Sequence, residues 1–110
     1  MHLILDNLKK ELLKVVLLRA PNEAAGVILK DGTVVELQNL SDHPEDSFLL
    51  DRAELVKLLQ FENEPEEVTL WHSHPSGGVG PSRIDMQQKT PLKYHLVLSL
   101  VEGDITPTWY

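Results

Sequence analysis

The sequence predicts an α+β or three-layer domain. Three features predict it: an amphipathic helical pattern in the first twenty residues, an Asp31-Gly32 turn between two apolar runs, and further strands in mixed order with few helices. Leu5, Leu8, Leu12, Val15 and Val16 recur at helical spacing, Lys9, Lys10 and Lys14 fall mostly between them, and Pro21 ends the helix. Residues 24–30 and 33–38 are apolar runs, and Asp-Gly between such runs is a strong hairpin signal. Residues 39–47 are polar with Pro44 and read as a loop. Asp51 and Glu54 have capping spacing, and Leu55, Val56, Leu58 and Leu59 supply an apolar face for a second helix ending near Phe61. Residues 68–72 read as a strand with Val68, Leu70 and His72 on one side and Thr69 and Trp71 on the other. A loop with three glycines and two prolines covers 75–81, and Ser82 opens a short third helix. Residues 95–101 and 105–110 are the last strands, joined by a turn at Gly103-Asp104.

The chain has 110 residues, and no repeat, low-complexity tract or long linker divides it, so residues 1–110 are expected to form a single domain. Such a length buries roughly two-thirds of its unfolded surface, enough for one core. The net charge of −7 argues against generic nucleic-acid binding, which needs basic surface to replace phosphate counterions. No run approaches the roughly 18–20 apolar residues of a membrane span, and no signal-peptide pattern is present, so a cytoplasmic protein without membrane or nucleic-acid partners is expected. The chain has no cysteine, which excludes disulfide scaffolds, Cys-ligated zinc and iron–sulfur clusters.

The chemistry concentrates between Trp71 and Asp85. His72 and His74 stand two apart at a strand end and point to one side, so both imidazoles can reach one ion. Asp85 completes a His₂-carboxylate set with a fourth position open for water, the pattern of a catalytic zinc site. Zinc suits these ligands; iron or another divalent ion fits them too. Ser82 and Asp85 share a helix face, so the Ser82 hydroxyl lies near the ion and can donate to the oxyanion formed when water attacks a carbonyl. Zinc-bound water has a pKa near 7. Glu23, at the entry to the first core strand, is the candidate proton carrier, since a carboxylate there needs a partner.

These residues resemble the JAMM (MPN-plus) metalloprotease signature: a Glu, then His-Ser/Thr-His, seven residues, Ser, two residues, Asp. His72, Ser73 and His74, then the seven residues 75–81, then Ser82 and Asp85 match without a gap. Residues 21–29, with Pro21, Glu23 and Gly26, resemble the family's Glu-bearing strand, and 39–51, with Pro44, Phe48 and Asp51, are similar to the segment that follows in bacterial and phage members. The resemblance implies the three-layer α/β/α, cytidine-deaminase-like JAMM fold, a mixed β-sheet flanked by helices. It implies a zinc peptidase or isopeptidase in which His72, His74 and Asp85 bind Zn²⁺. Glu23 carries the water proton to the leaving amine as general base and acid, and Ser82 stabilises the tetrahedral intermediate. Its relatives act on ubiquitin-like modifiers or sulfur-carrier proteins, or occur in phage tail-assembly proteins. The short chain and Trp71 before the His pair look most like the phage-tail branch.

Each feature also has a plainer reading. His2, His43 and His95 are read as ordinary surface or core histidines. Ser82 and Asp85 form a cap as well as part of the site. Gly77 and Gly78 lack the Lys-Ser/Thr ending of a phosphate loop. Glu62, Glu64, Glu66 and Glu67 are a solvated run. Trp71 and Trp109 are core or sheet-face aromatics. The leading helix is read as core rather than dimer face, although a homodimer is compatible with this size. The competing function is a non-catalytic, zinc-containing phage or prophage tail-assembly component. A deaminase would need a Pro-Cys-x-x-Cys stretch, which is missing.

Overall fold

A computed structural model describes residues 2–76, 78–87 and 92–110. Gly77 lies outside them, and so do the side chains of His2 and Leu5. The elements run α1 (His2–Arg19), β1 (Ala25–Ile28), β2 (Val34–Leu37), α2 (Arg52–Leu59), β3 (Thr69–His74), α3 (Arg83–Gln87), β4 (Tyr94–Val101) and β5 (Asp104–Trp109), with a 3₁₀ turn at Pro65–Glu67.

The five strands form one mixed sheet in the order β2-β1-β3-β4-β5. β1 pairs antiparallel with both β2 and β3, β3 and β4 run parallel, and β5 returns antiparallel on β4. The Asp31-Gly32 turn closes the first hairpin as expected. Gly32 has φ +94° and Asp31 Oδ1 accepts the Thr33 N–H at 2.9 Å. The last hairpin turns one residue earlier than expected, on Glu102 (φ 52°) and Gly103 (φ 80°), because a two-residue hairpin turn of this hand needs two consecutive left-handed residues.

Alternation along β3 splits the core in two. Trp71 packs with Leu12 and Val16 of α1, with Leu96 and Leu98, and with Ile105. Val68 and Leu70 face the other way, onto Val27, Leu37 and half-buried Leu55, Leu58 and Leu59 of α2. The sheet thus lies between α1 and α2, and the expected α+β three-layer arrangement is what the chain adopts. Asp51 caps α2 by accepting from Ala53 N and Glu54 N. The helix stops at Leu59, short of Phe61, and Val56 is 48% exposed rather than part of its apolar face. Among the described residues no helix is long and apolar enough to cross a membrane.

The central strand runs further than the sequence pattern implied. It continues through His74 because β4 stays in register beside it as far as His74↔Ser99. All six of its residues are buried, so both histidines sit inside the sheet rather than on its frayed end.

Gly26 lets the β1 backbone pass this close to β2 and Trp71. A Cβ there would run into the Val35 carbonyl oxygen and would lie 3.0 Å from Glu36 Cα and Trp71 Cζ2. Backbone cannot swing aside as a side-chain tip can. Gly26→Ala is therefore expected to lose about 3 kcal/mol, the upper end of ordinary overpacking, read as a lower urea midpoint with unchanged slope.

Candidate metal centre

Period-2 alternation puts His72 and His74 on the α2-side face of β3, opposite Trp71. Their Nε2 atoms lie 3.2 Å apart. The loop after β3 brings α3 back so that Asp85 Oδ2 stands 3.1 Å from His72 Nε2 and 2.9 Å from His74 Nε2. Three donor atoms from two elements therefore form a nearly equilateral triangle. Tetrahedral ligands at zinc distances of 2.0–2.1 Å are separated by about 3.3 Å, so the triangle has the dimensions of one face of such a shell.

Glu23 approaches from the segment just before β1. Its Oε2 is 3.9 Å from His74 Nε2, and Glu23, His72 and His74 offer ligand atoms within 4.8 Å of one another. That separation is longer than the edge of the His-His-Asp triangle. It suits a carboxylate reaching a fourth, exchangeable ligand better than one inside the shell. Glu23 is 4% exposed, and its Oε1 is buried without a hydrogen-bond partner in the structure. A buried carboxylate oxygen without a partner is costly unless a cation or solvent completes it. The donor set thus fits a divalent metal.

The protonation pattern follows from this crowding. Burial pushes the Glu23 carboxyl up to about 7, His74 opposes that, and the charges of Asp85 and Asp46 add to it. Burial also disfavours ionised Asp85, but hydrogen bonds from His72, His74 and the Ser82 N–H outweigh it and hold the group far below the usual carboxylate range. Burial keeps the His72 imidazole below its ordinary pKa, the neutral form a metal requires. For His74 the same burial is overcome by the Asp85 hydrogen bond and the Glu23 charge, and the value rises.

Ser82 caps α3. Its N–H donates to Asp85 Oδ2 at 2.8 Å, and its Oγ accepts the Asp85 N–H at 3.1 Å. The bond through Oγ uses a lone pair and leaves the hydroxyl proton for another acceptor. Ser82 itself is exposed at the rim of the buried cluster. His95, read as an ordinary histidine, is a buried residue of β4 whose ring lies 5.4 Å from that of Tyr110.

Four supporting residues carried no assigned role in the sequence. Phe48 stacks on His72 with ring centroids 4.4 Å apart. The Tyr110 hydroxyl lies 3.4 Å from His72 Nδ1, where a second partner orients a ligating imidazole. Ser73, between the histidines, accepts the Ala24 N–H on its Oγ at 2.7 Å and donates its own N–H to Ala24 O, tying Glu23's neighbour to β3. Asn39 donates to the Glu23 carbonyl at 3.0 Å. The motif spacing flagged Ser73, but Tyr110 is 38 residues from His72 and no local pattern could find it. A cavity of about 410 Å³ opens beside Glu23, lined by Arg19, Asn22, Glu36 and Asn39 among others; neither histidine lines it.

Residues 6–109 match the family described as prokaryotic homologs of the JAB domain. No curated protein and no solved structure gives a match. The family match spans nearly the whole chain, so the chain belongs to that family, in agreement with the JAMM resemblance of its motifs.

Purified protein is expected to hold about one divalent metal ion per chain by elemental analysis. His74→Ala or Asp85→Ala should weaken metal binding by more than the roughly 10–100-fold typical of losing an outer-shell partner. Tyr110→Phe should cost no more than about tenfold in a chelator competition.

Proposed function

We propose that this member of the prokaryotic JAB family is a zinc-dependent metallopeptidase or isopeptidase acting on a protein or peptide. The observation that carries this reading is the buried donor triangle of His72, His74 and Asp85 with the Glu23 carboxylate just outside it. A site serving only to staple the fold would be closed by a fourth ligand, whereas three ligands and a nearby base leave a position open.

Zinc bound by His72, His74 and Asp85 would polarise the scissile carbonyl and bring the pKa of a coordinated water near 7. Glu23, buried beside that position with its carboxyl pushed up to about 7, would act as the proton acceptor for the attacking water. Attack of that water on the carbonyl carbon would move the carbonyl electron pair onto its oxygen. Ser82 donates its remaining hydroxyl proton as a hydrogen bond to that oxyanion. When the C–N bond breaks, Glu23 returns the proton to the leaving amine, so the base ends in its starting state.

The phage-tail branch remains part of the proposal for biological setting, as do ubiquitin-like and sulfur-carrier proteins for substrate. The family match supports the domain and leaves those apart.

Two variants test the reading. Glu23→Gln should keep the metal and lose about 10²–10⁴-fold in kcat, measured by mass spectrometry on a peptide and isopeptide library. Ser82→Ala should lose about 10²–10³-fold. Full metal occupancy with no turnover by the unaltered protein would instead support the non-catalytic tail-component reading.

A further inference from the structure

We propose that Asn39 is a positioning residue that sets where the Glu23 carboxylate stands. The inference rests on the peptidase reading and adds a residue lying outside the family signature. Asn39 is half-buried just after β2, and its side-chain amide uses its full hydrogen-bonding capacity. Nδ2 donates to the backbone carbonyls of Glu23 and Ser47, both at 3.0 Å. Oδ1 accepts the N–H groups of Ser41 and Leu49, both at 3.0 Å. One side chain thus ties the loop between β2 and α2 to the backbone of the proposed base.

That loop is part of the site. Pro44 O accepts the Glu23 N–H at 2.7 Å, so Glu23 is gripped on its N–H by the loop and on its C=O by Asn39. Phe48, next to the Asn39 acceptor Ser47, stacks on His72. Glu23 precedes β1 and therefore has no strand ladder of its own to hold it. With a separation of 3.9 Å between Glu23 and His74, a small backbone shift moves the carboxylate into or out of reach of a shared water. Among the described residues the hydrogen bonds of the Asn39 side chain go to Glu23, Ser41, Ser47 and Leu49 and not to His72, His74 or Asp85, so its effect falls on the base and not on metal retention.

Asn39→Asp keeps the acceptor oxygen for Ser41 and Leu49 but loses both donors, and Asn39→Ser removes the added charge as an explanation. Both are made in the full chain loaded with zinc. The expected result is unchanged zinc stoichiometry, kcat lower by about 10–100-fold, and KM within about threefold. Amide hydrogen exchange at Glu23 should accelerate at least about tenfold, since its bond to Pro44 loses the anchored loop. Leu58→Ala, a destabilising change in the apolar cluster that α2 forms with Val68 and Leu70, should leave kcat of the folded protein unchanged. Unaltered kcat and unaltered Glu23 exchange in both Asn39 variants would overturn the proposal, as would an equal drop in kcat for Leu58→Ala. If the unaltered protein holds zinc but cleaves nothing, the peptidase reading fails by itself, and Glu23 exchange alone then decides whether Asn39 anchors that residue.

Discussion

Two imidazoles and two carboxylates are buried within a few ångströms of each other at one end of the central strand, and charge in such a place is unstable without compensation. The surrounding architecture reads as the means of tolerating it. Asp85 receives three hydrogen bonds, two from the histidines and one from the N–H that begins α3. Among the described residues Glu23 is hydrogen-bonded through its backbone, its Oε2 stands 3.9 Å from His74 Nε2, and its Oε1 has no hydrogen-bond partner. That asymmetry separates the two acids. Asp85 is held ionised, far below the usual carboxylate range, while burial pushes the Glu23 carboxyl up to about 7.

The sheet supplies the rigidity this requires. β3 is flanked by β1 and β4 and covered on both faces, so the histidine backbones cannot drift. The cross-strand link from Ser73 to Ala24 extends the β1–β3 pairing by one step beyond the ladder and delivers Glu23 to the same end. Gly26 permits the close approach of β1 to its neighbours that this geometry presumes. The exposed ion pairs, Lys9 with Asp104 and Arg19 with Glu36, fasten α1 to the sheet but sit in solvent, where such pairs contribute little.

Much of this was legible beforehand. The order of helices and strands, the Asp31-Gly32 hairpin, the Asp51 cap and the split of β3 into two faces follow from periodicity and turn chemistry, which are local properties. The family was legible too: the match over residues 6–109 agrees with the resemblance drawn from the motifs, whose fixed spacing encodes strand alternation and a helix cap. Strand ends were harder. Whether β3 stops at His72 or His74 depends on where its parallel neighbour ends, which lies twenty-odd residues on.

The amino-acid order by itself determined the residue types at the candidate site, the facing of His72 and His74 along β3 and the helix that presents Asp85, since each depends on spacing within a few residues. Only the tertiary structure decided the 3.9 Å between Glu23 and His74, the stacking of Phe48 on His72, the reach of Tyr110 to Nδ1 and the hub at Asn39. Those are distances between segments far apart in the chain. They are set by how the sheet is ordered and how the loop after β2 folds over it, and no periodicity within a segment carries that information.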